Sequence, residues 1–260
     1  MTVENSMAGN TIRIGAVNYL NTKPLIYGFE KGMMQEEISL QINYPANIAR
    51  ALLNQEIDLG LVPVAVLPHL KTWHIISPFG IACDGPVASV CLFSDVPLDA
   101  IQTVLLDYQS RTSAALLKIL LQEYWHIQPV FIQAYEGYEK DIKGSTAGLI
   151  IGDRALQQRQ HSRYIFDLGE AWKMHTGLPF VFAAWVSNKK LNDDFIDRFN
   201  TTLQYGLNRL DEVVALHDSP NLNLAEYYQR HIRFHFSASC RHGLQLFLDK
   251  LKASSASAKF

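Results

Sequence analysis

The chain has 260 residues, of which 48% are apolar and 18% charged, and its net charge is near −2. This composition predicts a globular protein with a large core and excludes an intrinsically disordered chain. It lacks the strongly basic balance of a nucleic-acid-binding protein, and no apolar run approaches the ~20 residues of a membrane span. We therefore expect a small-molecule ligand and neither nucleic acid nor membrane as a partner, and any anion must be held by local donors.

The amino terminus and the cysteines bear on location and on metals. The first ten residues, MTVENSMAGN, are polar and lack the apolar segment of a secretory signal, which favours a cytoplasmic location. Cys83, Cys91 and Cys240 are odd in number and have no CxxC spacing, so neither a disulfide framework nor a thiolate metal site is expected. The histidines form no HExxH pattern, and we expect no metal site.

Strand-like and helix-like segments alternate from the amino terminus. Ile12–Val17 is a strand candidate, and Pro24 suits the first turn of a following helix, with Asn21 or Thr22 as its cap. The next segments are a strand at Leu40–Tyr44, a helix at Pro45–Leu53 and a strand at Ile57–Val62. This alternation predicts parallel pairing, with ligand-binding loops at the carboxyl ends of the strands.

Later segments continue the α/β pattern. Ala88–Ser94 and Thr103–Leu106 are strand candidates, and the apolar run Phe180–Val186 suits a strand that returns to the first part of the fold. Residues 192–216 carry an apolar stripe at helical spacing, and a second helix is expected at about residues 239–251.

A hydroxyl-rich turn joins the strand Thr103–Leu106 to a helix. Ser110 or Thr112 is a plausible N-cap, and Ser113 and Arg111 add further donors. The first N–H groups of a helix have no partner within it, so a carboxylate or phosphate is favoured there. An ordinary capped helix would look the same, and Arg111 is as well suited to a surface ion pair as to holding a ligand.

A second polar turn follows the first strand. Asn18, Tyr19 and Asn21 lie close behind Val17, and two amides there would orient a hydroxylated ligand without adding charge. The same amides would also serve as an Asx turn and a helix cap. We expect this turn and the Ser110–Ser113 turn to face each other across a cleft.

Three further groups are candidates for the same cleft. Ser89 follows the turn DGPVA and precedes a strand, and Asp153 follows the buried run LII, where it would otherwise cap the next helix. Thr176 and Gly177 lie in HTGLPF, where the glycine and the proline would equally serve as turn residues.

Six segments in this order resemble the chorismate dehydratases of the futalosine route to menaquinone. The segments are RIGAVNYLNTKPL (Arg13–Leu25), IDLGLVPVAVL (Ile57–Leu67), DGPVASVCLFS (Asp84–Ser94), LDYQSRTSAALLKILL (Leu106–Leu121), LIIGDRAL (Leu149–Leu156) and FDLGEAWKMHTGLPFVFAAW (Phe166–Trp185). The resemblance implies a two-lobed α/β fold of the type II periplasmic-binding-protein kind, in which each lobe is a mixed, mostly parallel sheet flanked by helices. Residues 1–93 and 187–260 would form one lobe, residues 94–186 the inserted lobe, and the ligand cleft would lie between them.

The resemblance also implies a reaction, the cofactor-free loss of water from chorismate, a dicarboxylate. Asn18 would be catalytic, contacting the reacting ring or its leaving hydroxyl. The turn Ser110–Ser113 would bind one carboxylate, and Ser89 with Thr176 the other. No residue of these motifs is an obvious general base, which fits the family's use of the substrate's own enolpyruvyl carboxylate to take the proton.

Two other functions remain open from the sequence. A non-catalytic solute-binding protein for a small carboxylate would have the same fold, because a fold alone does not define an activity. The related enzyme family that forms dihydroxynaphthoate later in the same pathway is the other alternative, although its first turn does not have the pattern NYLNT.

Overall fold

A computed structural model describes residues 11–217 and 222–257 of the chain. The amino-terminal segment on which the expected location rests lies outside the described residues. Within the described ranges, no helix combines the length and the apolar character that crossing a membrane requires.

Eleven strands and nine helices form the described fold. The strands are β1 (Ile12–Val17), β2 (Ile38–Asn43), β3 (Leu59–Pro63), β4 (His74–Cys83), β5 (Val90–Ser94), β6 (Thr103–Leu106), β7 (Val130–Gln133), β8 (Thr146–Ile151), β9 (Tyr164–Asp167), β10 (Phe180–Ser187) and β11 (Arg233–His235). The helices are α1 (Lys23–Glu30), α2 (Pro45–Leu53), α3 (Arg111–Glu123), α4 (Gly152–Gln158), α5 (Leu168–Thr176), α6 (Asp193–Leu207), α7 (Leu210–His217), α8 (Leu224–Glu226) and α9 (Ala238–Ser257).

The strands form two mixed sheets, one in each lobe. The sheet of lobe 1 has the order β11-β4-β10-β3-β1-β2, in which β1 runs parallel to β2 and β3 while β10 is antiparallel to both of its neighbours. The sheet of lobe 2 has the order β7-β6-β8-β5-β9, in which β6 runs parallel to β7 and β8 while β5 is antiparallel to both of its neighbours. The expected two-lobed α/β fold is confirmed.

The chain passes between the lobes earlier than the expected boundaries at 93/94 and 186/187. Sheet pairing places β5 in lobe 2 and β10 in lobe 1, the latter as expected for the run Phe180–Val186, so the connections run just before Val90 and just before Phe180. Both strands are buried along their whole length. A strand covered on both faces has no alternation that shows which sheet it joins, so its sequence did not fix the boundary.

Local signals explain several element boundaries. Pro24 and Pro45 lie in the first turns of α1 and α2, where the missing N–H costs nothing. The expected long helix at 192–216 is instead the pair α6 and α7, which the structure separates at Asn208 and Arg209. Asn192 caps α6, because its side-chain oxygen accepts a hydrogen bond from the N–H of Phe195 at 2.7 Å.

Helices α1 and α6 touch through two glycines. A Cβ atom built on Gly28 would lie 2.5 Å from the carbonyl oxygen of Thr202, and one built on Gly206 would lie 2.0 Å from the carbonyl oxygen of Pro24. Neither neighbouring atom is a flexible side-chain end, so the backbones themselves would have to separate. Side chains larger than hydrogen at these positions are therefore incompatible with the observed packing.

The variant Gly206→Ala is expected to lower the free energy of unfolding by about 1–3 kcal/mol, because the added methyl group overpacks the contact between α1 and α6. Urea unfolding monitored by circular dichroism measures this loss. The control is Thr201→Ala on the exposed face of α6, which should change stability by no more than about 0.5 kcal/mol. Equal stability of Gly206→Ala and the wild type would show that the two helices are not in close contact.

Candidate functional site

A cavity lies between the two sheets and is lined from both lobes. Lobe 1 contributes Val17, Tyr19, Asn21, Pro45, Pro63, Ile81, Phe182 and Ala183. Lobe 2 and the connection before it contribute Val87, Ser89, Val90, Ser110, Thr112, Ser113, Ile151 and Gly152. The free space between these residues is about 530 Å³ when the open mouth is included. The lining is mostly apolar with a few polar groups, which is the usual character of small-molecule sites.

The start of α3 forms one polar wall of the cavity. Ser110 is the N-cap: its Oγ accepts a hydrogen bond from the N–H of Ser113 at 3.1 Å and donates one to the Oγ of Ser113 at 2.8 Å. The N–H groups of Arg111 and Thr112 precede that of Ala114, which bonds to the carbonyl of Ser110 at 3.4 Å, so they have no partner within the helix. The positive end of a 13-residue helix therefore lies at the cavity, as the sequence predicted.

The turn after β1 forms the opposite wall. Tyr19 and Asn21 both line the cavity, and the N–H of Thr22 donates to the carbonyl of Tyr19 at 3.0 Å, which closes a 3₁₀ turn. The hydroxyl of Tyr19 donates to Oε1 of Gln109 in lobe 2. Burial raises the pKa of Tyr19 above its usual value, so the phenol stays neutral at physiological pH.

Ser89 lies at the base of the cavity and is 1% exposed. Its Oγ accepts a hydrogen bond from the hydroxyl of Tyr227 at 2.7 Å. Because that bond occupies a lone pair of Ser89, the proton of the Ser89 hydroxyl is free to be donated elsewhere. Tyr227 begins a single π-helical turn, Tyr227–His231, that continues α8. Sequence reasoning missed Tyr227, since no local pattern connects it with a serine 138 positions away.

Asp167 holds the turn that precedes Ser89. Its carboxylate accepts hydrogen bonds from the N–H groups of Val87 and Ala88 at 3.0 and 2.7 Å. It is also the N-cap of α5, where it accepts from Gly169 and Glu170 at 2.9 and 3.1 Å. Ala88 has φ of +63°, a left-handed conformation that is unusual for alanine and that these bonds help to hold. Sequence reasoning missed this role, although the aspartate before a helix was visible as a capping signal.

Asp153 contacts lobe 1 and does not line the cavity. Its Oδ1 accepts a hydrogen bond from the N–H of Leu20 at 3.2 Å, which joins α4 to the turn after β1. Burial raises the pKa of the Asp153 carboxyl. The cap position of α4 belongs to Ile151, so the expected capping role of Asp153 is wrong. Its contact is made across the cleft, which a local sequence pattern does not show.

Asn18 and Arg111 lie beside the cavity and are exposed. Asn18 is between Val17 and Tyr19, which both line the cavity, and its own N–H donates to the carbonyl of Asn43 at 3.0 Å. Arg111 borders a separate groove on the outer side of α3, together with Lys118. Neither side chain is among the lining residues.

Thr176 and Gly177 form the end of α5. The hydroxyl of Thr176 donates to the carbonyl of Trp172 at 2.8 Å and accepts from the N–H of Leu178 at 3.2 Å. Gly177 has φ of +73° and ends the helix, a conformation that glycine adopts without strain. These contacts match the alternative in which the segment only forms a turn, and neither residue lines the cavity.

The structure therefore brings six of the eleven candidate residues together at the cavity. They are Tyr19, Asn21, Ser89, Ser110, Thr112 and Ser113. The other five, which are Asn18, Arg111, Asp153, Thr176 and Gly177, do not line it, and the ligand roles of all eleven stay predictions.

The cavity lining is nearly free of ionisable groups. Within residues 11–217 and 222–257, Tyr19 is the one side chain of an acid, base, tyrosine or cysteine that lines it, and burial keeps that phenol neutral. The donors are hydroxyls, an amide and the N–H groups at the start of α3. Such a site would bind a negatively charged guest through dipoles, and its lining offers no carboxylate or imidazole as a general base.

A ligand cleft between two mixed sheets is the arrangement of a type II periplasmic-binding-protein-like fold, and solved structures agree. Protein AF1704 from Archaeoglobus fulgidus has a TM-score of 0.77 at 13% identity, covering 96% of this chain and 99% of that one. The periplasmic aliphatic sulphonate binding protein SsuA from Escherichia coli has a TM-score of 0.62 at 15% identity, covering 95% and 93%. At these identities the similarity concerns the fold alone.

Sequence comparison is more specific. The profile of the menaquinone biosynthesis family matches residues 12–253, and the chain belongs to this family. A chorismate dehydratase from Thermus thermophilus is 29% identical, covering 92% of this chain and 94% of that protein. A chorismate dehydratase from Campylobacter jejuni is 26% identical, covering 72% and 74%. The family resemblance stated from the six segments is thereby confirmed.

Replacing Asp167 by alanine is expected to lower the free energy of unfolding by about 2–3 kcal/mol, because four backbone N–H groups lose a charged acceptor. Chemical denaturation measures the loss. The matched control is Asn192→Ala, which removes the N-cap of α6 far from the cleft and should cost only about 1 kcal/mol. Equal losses in the two variants would mean that Asp167 acts only as a helix cap.

Proposed function

We propose that this protein is a chorismate dehydratase, a carbon–oxygen lyase that converts chorismate to 3-[(1-carboxyvinyl)oxy]benzoate and water. Membership of the menaquinone biosynthesis family and two chorismate dehydratase relatives support this activity. The observation that carries it is the uncharged cavity lining, with a helix start on one wall. This suits a dicarboxylate that must be oriented for a reaction needing no cofactor.

Two carboxylates of the substrate require donors. The N–H groups at the start of α3, with the hydroxyl of Ser113, suit the binding of one carboxylate, while the hydroxyl proton of Ser110 is donated to Oγ of Ser113. Ser89 has a proton available to donate because Tyr227 donates to its oxygen, and it suits the second carboxylate. Thr176, which was expected to assist Ser89, has its hydroxyl engaged at the end of α5, so the proposal does not use it.

The same lining also bears on which group takes the proton during the loss of water. The C3–H bond and the C4–O bond of chorismate break, the ring gains its third double bond, and the hydroxyl leaves with the proton as water. The lining supplies no carboxylate or imidazole to take the C3 proton, so the enolpyruvyl carboxylate of the substrate is the proposed base. The protein would then contribute by orienting the reacting groups and by placing fixed dipoles around the developing charge.

Asn18 is the proposed partner of the leaving hydroxyl. It lies at the carboxyl end of β1 between two residues that line the cavity, and its amide is free of charge. An amide there would donate to the departing oxygen without attracting the proton of C3. The position is exposed in this structure, so the side chain is free to turn toward a bound substrate.

Purified protein mixed with chorismate is expected to form a product lighter by one water, detected by chromatography and mass spectrometry. Asn18→Ala should lower kcat by about 100-fold, since removing one donor at a developing negative charge costs this much or more. Its stability should be unchanged because the residue is exposed.

The control for this variant is Asn54→Ala, an exposed asparagine at the end of α2 that should retain wild-type turnover. Unchanged chorismate with a folded wild-type protein would reject the dehydratase, and tight binding without conversion would favour a solute-binding protein. A near-normal kcat in Asn18→Ala would reject the role of that amide alone.

The kcat/KM for chorismate is expected to be constant between about pH 7 and 9. Burial raises the pKa of Tyr19 above the usual ~10 of tyrosine, so the phenol remains protonated throughout this range. The carboxylates of a substrate are fully ionised there, and the lining holds no other titrating group. Initial rates measured at low chorismate concentration test the profile. A bell-shaped curve with a pKa between 7 and 9 would identify a protein side chain as the base.

A further inference from the structure

Gln109 lies in the loop between β6 and α3 and reaches across the cleft to lobe 1. It is 6% exposed, and its Oε1 accepts the hydroxyl proton of Tyr19. Its Nε2 donates to the hydroxyl of Tyr108 at 3.0 Å, which fixes the orientation of the amide. The ring of Tyr19 lines the cavity, so this single hydrogen bond joins a wall of the ligand site to the opposite lobe.

A buried ion pair in lobe 2 holds Gln109 in place. Oδ1 of Asp107 accepts from the N–H of Gln109 at 2.7 Å, while Oδ2 accepts from Arg154 at 2.6 Å and from the hydroxyl of Tyr138 at 2.9 Å. Asp107 is 3% exposed, and a buried carboxylate with such partners is fixed in orientation. Glu139 binds the other terminal nitrogen of Arg154 at 2.7 Å. The loop conformation is therefore set before Gln109 meets Tyr19.

The start of α4 contacts the same turn of lobe 1 at two further points. A Cβ atom built on Gly152 would lie 3.0 Å from the ring of Tyr19, so the ring packs directly on this glycine. Asp153 accepts the N–H of Leu20. Elsewhere in the cleft, Oγ1 of Thr112 accepts the N–H of Ala65 at 3.1 Å. These contacts all join the two lobes, so a motion that opens the cleft breaks them together.

We propose that Gln109 is a positioning residue that holds the two lobes closed through Tyr19 and thereby fixes Tyr19 as a wall of the ligand cavity. The proposal rests on the proposed function for its kinetic consequence. Asp107 contributes to this positioning because it accepts the N–H of Gln109, and Arg154 pairs with Asp107. The latch, defined as the hydrogen bond between Tyr19 and Gln109, exists only in the closed arrangement of the lobes.

A double-mutant cycle with Tyr19→Phe and Gln109→Met tests the latch. Phenylalanine removes only the hydroxyl, and methionine keeps the length of glutamine while removing its acceptor. Each single variant is expected to raise KM for chorismate by about 3- to 10-fold with kcat unchanged, because a contact made equally before and during the reaction affects binding alone. The KM of the double variant should not exceed the larger KM of the two single variants, since both substitutions remove the same hydrogen bond.

The control is Tyr135→Phe, which removes an exposed hydroxyl that bonds Asp141 in lobe 2 and should leave KM unchanged. If the KM increases of the two single variants multiply in the double variant, the two side chains act separately and the latch is overturned. A fall in kcat with KM unchanged would also overturn it, since Gln109 would then act on the transition state.

Amide hydrogen exchange of the unliganded protein tests the latch independently of the proposed reaction. In Gln109→Met the amides of Leu20 and Ala65, whose acceptors lie in lobe 2, should exchange about 3- to 10-fold faster. The amide of Asp58, whose acceptor Arg13 lies in the same lobe, should not change. Equal rates for Leu20 and Ala65 in the variant and the wild type would reject the latch. If the wild-type protein shows no turnover of chorismate, only the proposed dehydratase activity is rejected.

Discussion

One carboxylate organises the junction between the lobes. Asp167 is 7% exposed and accepts four backbone N–H groups, two from the connection that enters lobe 2 and two from the first turn of α5. Removing one donor from this buried carboxylate would cost free energy. The connection that enters lobe 2 and the first turn of α5 are therefore held in one relative geometry. Because Ser89 follows Ala88 directly, the position of its hydroxyl in the cavity depends on this arrangement.

The acidic groups around the cleft are satisfied by the protein itself. Asp107 is paired with Arg154, Asp153 accepts the N–H of Leu20, and Asp167 accepts four N–H groups. None of these carboxylates lines the cavity. A negatively charged guest would therefore meet hydroxyls and the start of α3, while the carboxylates nearby are engaged with donors of the protein itself. This arrangement explains how a protein with a net charge near −2 offers a site suited to an anion.

Features set by neighbouring residues could be predicted from the sequence. The strands Ile12–Val17 and Thr103–Leu106 and the helix Pro45–Leu53 have the predicted bounds, and the cap of α3 is Ser110, one of the two residues predicted for it. Each depends on alternation, helical spacing, proline or a capping hydroxyl within a few residues. The two polar turns were expected to face each other across a cleft, and residues of both line one cavity, although the turns follow strands of different sheets.

Features set by distant contacts could not be predicted. The hydroxyl of Tyr227 meets Ser89, and Asp153 meets Leu20, over separations of 138 and 133 positions. Nothing local distinguishes Tyr227 from Tyr228 beside it, although only the first donates to Ser89. The sheet membership of β5 could not be predicted for a related reason, since an apolar strand pairs equally well on either side of a lobe junction until the whole fold is fixed. The return of Phe180–Val186 to the first lobe was expected from its sequence.

The strength of the contacts between the lobes determines whether a ligand is able to change the equilibrium between the open and closed cleft. Among the hydrogen bonds that cross the cleft are those from Tyr19 to Gln109, from Leu20 to Asp153 and from Ala65 to Thr112. Each contributes about 0.5–1.5 kcal/mol net, because opening the cleft exchanges it for bonds to water. Closure built from such bonds stays reversible, so a ligand that touches α3 and the turn after β1 at once is able to shift the equilibrium, while a ligand that touches one lobe only is not.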